Sequence, residues 1–199
     1  MRTPDARALE TTMNDDAAPA GPTDGATEED LDRIAIARYR KEWGKGPFET
    51  ADCVAFWRDE VLLIKRKNRP QKGRWATPGG FLDQDEPPYV SAIRELVEET
   101  VFKLTGEHAG KQIAGLLATA VVGTFRQEGE DRDPRAHINT TVTVLDLDLI
   151  EGLEKPEVQA EDDADDAKWT KLRDVPPVMY ADHRDIVAKA ARIAGRAFA

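Results

Sequence analysis

The chain has 199 residues, 40% of them hydrophobic and 33% charged, with a formal net charge of -10. That length suits one main domain with a tail, because domains run from about 50 to 250 residues, and the hydrophobic share indicates a packed core rather than a fibrous chain. The acidity argues against a nucleic-acid partner, whose affinity comes mainly from clustered Lys and Arg; an acidic chain that handles phosphates usually needs metal ions.

No stretch approaches the roughly twenty apolar residues of a membrane span, so no membrane partner is expected. Asp5, Arg7, Glu10, Asp15 and Asp16 interrupt any apolar secretory core at the start. Residues 1–26 are Ala, Thr, Asp, Gly and Pro with few large apolar side chains, and read as a disordered acidic tail. Residues 27–48 read as one helix and a linker: Thr27 with Asp30 suggests a cap, Leu31, Ile34, Ala35 and Tyr39 recur at helical spacing, and Gly44 and Gly46 end the pattern. Its apolar stripe packs on the domain or on a second subunit, which leaves a homodimer open.

Asp52–Trp57 and Val61–Lys65 are apolar runs separated by three polar residues and predict a hairpin. The single cysteine, Cys53, lies in the first run as a small buried strand residue, and it cannot form an internal disulfide; a reducing cytoplasm is the expected location. Asn68–Gly80 carries two prolines and three glycines and reads as an irregular loop. Pro87 and Pro88 suit a first helical turn, and Val90, Ile93, Leu96 and Val97 space a helix over Tyr89–Phe102. Gly115–Thr124 and Asn139–Leu149 are strand candidates around a long loop marked by Asp131, Asp133 and Pro134; Trp169–Leu172 is a further short strand, and His183–Phe198 a closing helix. The order implies an α+β fold with a mixed β-sheet covered by helices.

Glu95, Glu98 and Glu99 stand at i, i+3 and i+4, so their carboxylates leave one face of that helix within a turn. Such crowding either faces solvent or is offset by a hard divalent cation on oxygen ligands; Mg2+, or Mn2+ in its place, is the expected guest, keeping waters and holding substrate phosphates.

The trio belongs to a longer pattern: Gly80, five residues, Glu86, seven residues, then Arg94, Glu95, Leu96, Val97, Glu98 and Glu99. Six of these letters, fixed at that spacing, coincide by chance on the order of once in ten million windows. The pattern resembles the Nudix box of Nudix hydrolases. The resemblance implies a Nudix-type α/β/α sandwich over residues 49–199, metal ligation by Glu95, Glu98 and Glu99 with a backbone oxygen of Gly80, and a brace between Arg94 and Glu86. It implies hydrolysis by water at one phosphorus of a pyrophosphate. The family normally has glycine where this chain has Val101, which implies a differently shaped loop after the helix.

Lys72–Leu82, with Trp75 and Pro78-Gly79-Gly80, is similar to the ADP-ribose pyrophosphatase branch, in particular the Nudix domain that some bacteria fuse to nicotinamide mononucleotide adenylyltransferase. Asp133-Pro134-Arg135, Asp162-Asp163-Ala164 with Trp169, and Asp182-His183 extend the resemblance. It implies a small-molecule nucleotide substrate, ADP-ribose first, cleaved to AMP and ribose 5-phosphate. Such a site needs aromatic faces and phosphate donors: Trp75, Phe81 and Phe125 are the candidate faces, and Arg66 and Arg135 the candidate phosphate ligands, ahead of Arg69. Related pyrophosphatases carry a water-orienting carboxylate late in the domain, so Glu161 or Asp163 is the candidate base, with Glu95 and Glu98 as the other catalytic carboxylates. His183 is expected at a cap or on the surface. The alternatives are the same chemistry on NADH or dinucleoside polyphosphates, and a non-catalytic ADP-ribose sensor.

Overall fold

The computed structural model describes residues 25–161 and 164–198. The tail expected over residues 1–26 therefore lies, but for its last two residues, outside the described residues, as do Asp162 and Asp163.

Helix α1 (Glu28–Trp43) begins with a full capping box, the Thr27 side chain accepting from Asp30 N–H and the Asp30 carboxylate accepting from Thr27 N–H. Each bond satisfies an otherwise orphan donor of the first turn. Tyr39 buries against Phe81, Ala136 and Ile138, with Trp43 and Phe48 packed around them. The helix is also tied down by charge: Arg69 grips Glu28 and Asp32, and Arg40 donates to the carbonyls of Pro134 and Arg135. Ile34, expected in the apolar stripe, is 44% exposed instead.

Strands β1 (Phe48–Trp57) and β2 (Glu60–Arg66) pair as a hairpin only beside the turn, at Phe56 with Val61 and Trp57 with Glu60. Beyond that they part, and the loop expected to be irregular fills the gap with two short strands. β3 (Trp75–Ala76) pairs with β2, and β4 (Gly79–Phe81) pairs with β1. Backbone donors freed by the splayed hairpin find partners there, as buried peptide groups must.

Helix α2 (Pro88–Thr100) has proline at its first position, where no N–H is needed. The segment expected as a strand over Gly115–Thr124 divides into helix α3 (Ile113–Ala118) and strand β5 (Val121–Gln127). Its first half is Leu and Ala, which favour helix, and only its second half is β-branched. Strand β6 (Ile138–Asp146) gives way to a 3-10 turn at Leu147–Leu149. Strand β7 runs over Ala164–Lys171, earlier and longer than the short strand expected, and helix α4 spans His183–Ile193, ending before Phe198.

The seven strands form one mixed sheet in the order β3-β2-β1-β6-β5, with β4 beside β1 and β7 beside β2. β1 runs parallel to β6 and every other pair is antiparallel. Side chains alternate between the two faces. Ala51, Cys53, Ala55 and Trp57 of β1 meet Ala92, Ile93 and Leu96 of α2, whereas Val54 and Phe56 meet Ile186, Val187, Ala190 and Ala191 of α4. The sheet is thus covered on both faces by helices, an α+β sandwich. Cys53 is fully buried, and burial pushes its thiol far above the ordinary range, so it is an inert packing residue.

Candidate active site

The site forms where β4 lies between β1 and α2. Gly80 sits opposite Ala51 and Gly79 opposite Asp52 in the β1 register. Both glycines are required by close approach. A Cβ on Gly80 would lie 2.5 Å from the Glu95 carboxyl carbon, and one on Gly79 would lie 2.3 Å from Asp52 Oδ1. Gly79 N–H donates to Glu99 Oε2 at 2.9 Å, which pins the turn to the helix.

On α2 the three glutamates differ in setting. Glu95 is 4% exposed and Glu99 7%, while the Glu98 side chain is 45% exposed. Arg94 stands among them: it reaches Glu95 at 2.6 Å, Glu98 at 3.2 Å and Glu86 at 3.1 Å, and also donates to Phe81 O and Ser91 Oγ. Burial alone would weaken this guanidinium's hold on its proton. The hydrogen bond to Glu86 and the charge of Glu95 outweigh that and raise it well above the usual range. Arg94 is therefore a hub for several carboxylates, not only a partner of Glu86.

Among the described residues, no three His, Cys, Asp or Glu side chains close on one point as a finished metal cage. The donor set still suits a hard cation. It is all oxygen, it lies on one helix face, and the bare Gly80 backbone abuts Glu95. Magnesium binds through few carboxylates plus waters and substrate phosphates, so it does not need a complete protein cage.

Glu161 N–H donates to Glu99 O, bringing the segment ahead of β7 alongside the end of α2. Glu161 is thus placed beside the glutamate helix, and Asp163, the other candidate base, lies outside the described residues. Arg66 sits opposite Ala164 in β7, with its guanidinium carbon 3.9 Å from the Tyr180 ring centroid and its buried Nε without a hydrogen-bond partner. Trp75 is half-buried, and Lys168 lies over its ring at 4.1 Å.

Four residues expected to contact the ligand are held in other contacts. Arg135 is buried in a bidentate pair with Asp133 at 2.9 Å and 3.0 Å, between the rings of Tyr39, Phe81 and Tyr180, so it is an internal strut and not a free phosphate donor. Phe81 is 6% exposed and packs edge-on against Phe48, a core role. Phe125, like Trp75, packs against the core on the face covered by α4, with Lys189 over its ring at 6.0 Å. Arg69 is engaged with α1. In each case an aromatic or basic residue near a motif was equally suited to packing, and only three-dimensional neighbours decide between the two.

Two further polar residues lie buried beside the turn. Asp52 is a 6% exposed carboxylate at the heart of β1, and His183, expected at a cap or on the surface, opens α4 but is 6% exposed and bonded to Thr77. A charged residue within an apolar strand run was the available signal for Asp52. Val101 ends α2 at φ 39° and ψ 49°, a left-handed stop. The loop thus keeps the shape that glycine would give, and the expectation of a different loop is corrected: valine adopts the strained conformation itself.

A mixed sheet between two helix layers, with a glycine turn seated on a glutamate helix, defines an α+β sandwich that brings carboxylates and bare backbone together at one point. The NUDIX domain model matches residues 47–190, and the chain belongs to the Nudix family. An ADP-ribose pyrophosphatase of Methanocaldococcus jannaschii is 35% identical over 143 residues, 71% of each chain. An ADPR-responsive transcriptional repressor, NtrR, of Acinetobacter baylyi is 33% identical over 78% of this chain and 57% of its own length. The structure of a bifunctional NMN adenylyltransferase/ADP-ribose pyrophosphatase from Francisella tularensis, complexed with AMP and a manganese ion, superposes with a TM-score of 0.70 at 31% identity. That match covers 82% of this chain and 47% of the Francisella chain, so the present chain spans about half of that protein. Among the described residues, no helix is long and apolar enough to cross a membrane.

Proposed function

We propose that the protein hydrolyses the pyrophosphate of ADP-ribose, giving AMP and ribose 5-phosphate, with Mg2+ or Mn2+ held by Glu95, Glu98 and Glu99. The observation that carries the reading is the seating of the Gly79–Gly80 turn on Glu95 and Glu99, in a chain 35% identical to a pyrophosphatase of that specificity. The cation, when bound, supplies charge neutralisation on the phosphates and a lowered pKa for a bound water. Glu98 is the most exposed of the three, and Arg94, donating to both Glu95 and Glu98, draws their carboxylates together and orients them. Glu161, beside Glu99, is the described candidate for orienting water, with Asp163 the alternative. Arg66, with its unsatisfied Nε and its stacking on Tyr180, is the phosphate ligand, and Trp75 is the candidate aromatic face.

The repressor relative favours a second reading, ADP-ribose binding without cleavage. One experiment separates the two. ADP-ribose, NADH, diadenosine polyphosphates and nucleoside triphosphates are incubated with enzyme and magnesium, with and without EDTA, beside Glu98→Gln. AMP released from ADP-ribose, lost in EDTA and lost by at least about a hundredfold in the variant, as removal of one charge-stabilising group does, supports the hydrolase. Intact ADP-ribose together with a raised melting temperature overturns it in favour of the sensor.

A further inference from the structure

We infer that His183 is a positioning residue for the Gly79–Gly80 turn, holding it in register with the glutamate helix through Thr77. The inference rests on the hydrolase reading of that turn. Three consecutive residues leading into the turn are each held by a different element. Thr77 N–H donates to His183 Nδ1 of α4 at 3.1 Å, Pro78 O accepts from Cys53 N–H of β1 at 2.8 Å, and Gly79 N–H donates to Glu99 of α2 at 2.9 Å. Thr77 Oγ1 also lies 2.8 Å from the same imidazole nitrogen and 3.5 Å from Asp52 Oδ1. The turn thus reads its position from both helix layers and from the strand between them.

Packing does not account for this contact. Ile186, Val187, Ala190 and Ala191 already anchor α4 to the sheet, and an apolar side chain at the first helical position would bury as well. What imidazole adds is an acceptor in a dry place, aimed at a backbone donor that would otherwise be orphaned at a cost of about 1–3 kcal/mol. An accepting Nδ1 requires the neutral ring with its proton on Nε2. The charged groups around it are Asp52 of β1, Asp182 at the helix start, Arg132 of the β5–β6 loop and Arg66 of β2; the Tyr180 ring meets it edge-on at 5.2 Å. Burial, aided by Arg132 and Arg66, outweighs Asp52 and Asp182 and keeps the ring's pKa below its usual value, so the accepting form is the one present at neutral pH.

Small displacements near a reacting centre lower rates by up to about a hundredfold. His183→Leu, which removes the acceptor, is therefore expected to lower kcat for ADP-ribose about tenfold to a hundredfold with little change in KM. His183→Asn, whose Oδ1 can accept from Thr77 N–H and cannot be charged, should recover most of kcat and lack the acid-side decline expected of the native enzyme. The same variants, labelled with 15N-glycine, report the turn without any substrate: the leucine variant should shift the Gly79 and Gly80 amides and the asparagine variant should return them. That readout stands even if ADP-ribose proves not to be a substrate. Should the leucine variant melt out, the native protein decides alone, because the glycine amides should titrate with the same midpoint as the His183 ring. Unshifted glycine amides in folded His183→Leu, an asparagine variant no better than leucine, or amides indifferent to the ring's titration would each overturn the inference.

Discussion

Val101 closes the glutamate helix in the left-handed region, φ 39° and ψ 49°, where a β-branched residue is strained. That conformation costs an L-residue roughly 1–2 kcal/mol, and glycine's extra freedom when unfolded gives back about 0.5–1 kcal/mol. Val101→Gly should therefore stabilise the protein by about 0.5–1 kcal/mol, read as a rise in the urea midpoint; an unchanged or lower midpoint would show that the Val101 side chain contributes packing larger than its strain. Gly80 makes the opposite case. Its missing Cβ is the space that the Glu95 carboxylate occupies, so Gly80→Ala must move Glu95 or the turn, and a loss of kcat of about a hundredfold is expected with a modest change in melting temperature. Arg94→Ala removes the guanidinium paired with buried Glu95 and half-buried Glu86. Its side chain is 22% exposed, so the destabilisation should lie near the lower end of the roughly 3–5 kcal/mol seen for buried pairs. The contiguous residues of the box were legible in sequence because helical periodicity brings i, i+3 and i+4 together regardless of the rest of the fold. Arg135 and His183 were not, since their partners, Asp133 with Tyr180 and Thr77, depend on how distant segments dock.

Elements carry a different kind of information. The capping residues at Thr27, the proline at the start of α2 and the hairpin before the glycine loop were all readable, because each is a local matter of one or two turns of chain. The division of Gly115–Thr124 into α3 and β5 was not; a short apolar run is compatible with either state, and Leu117 and Ala120 take their place by packing in the α2-side core. The two short strands β3 and β4 were equally hidden, since they exist only because β1 and β2 part and leave donors to be met. Helix α1 packs on the domain through few residues and through ion pairs with Arg69 that are partly exposed, worth little individually. Its first turn should therefore respond to its own cap. Thr27→Ala is expected to weaken α1 by about 1 kcal/mol. Faster hydrogen exchange confined to the first turns of α1, with the sheet amides unchanged, is the expected pattern; uniform acceleration across the sheet would mean that α1 and the sandwich unfold as one unit.

At the scale of the whole molecule, the acidic chain holds its folded form through carboxylates that are paired inside it. Burial by itself would raise the Asp133 carboxyl, but the Arg135 guanidinium and the Tyr180 hydroxyl hold it far below the usual range. Asp182 is lowered in the same way: hydrogen bonds from Arg132 and Gln127 outweigh its burial. Each such group contributes stability that is fully present above its unfolded pKa of about 4 and lost as pH falls through the folded value. His183 acts in the same direction. Its folded pKa lies below the unfolded value of 6.5, so the neutral ring stabilises the fold above that pH and the contribution fades as acid charges the ring in the unfolded chain first. All three therefore predict a urea midpoint that is flat above about pH 7, declines gently below 6.5 as His183 engages, and falls more steeply below about 4 as the aspartates do. His183→Asn should remove the upper part of that decline and leave the lower. Asp133→Asn should lower stability at neutral pH by about 3–5 kcal/mol, because Arg135 is left buried without its counter-charge, and should flatten the lower part. A midpoint independent of pH between 7 and 3 in the native protein would show that these buried pairs are matched by equivalent interactions in the unfolded chain, and that the acid limb of stability has another source.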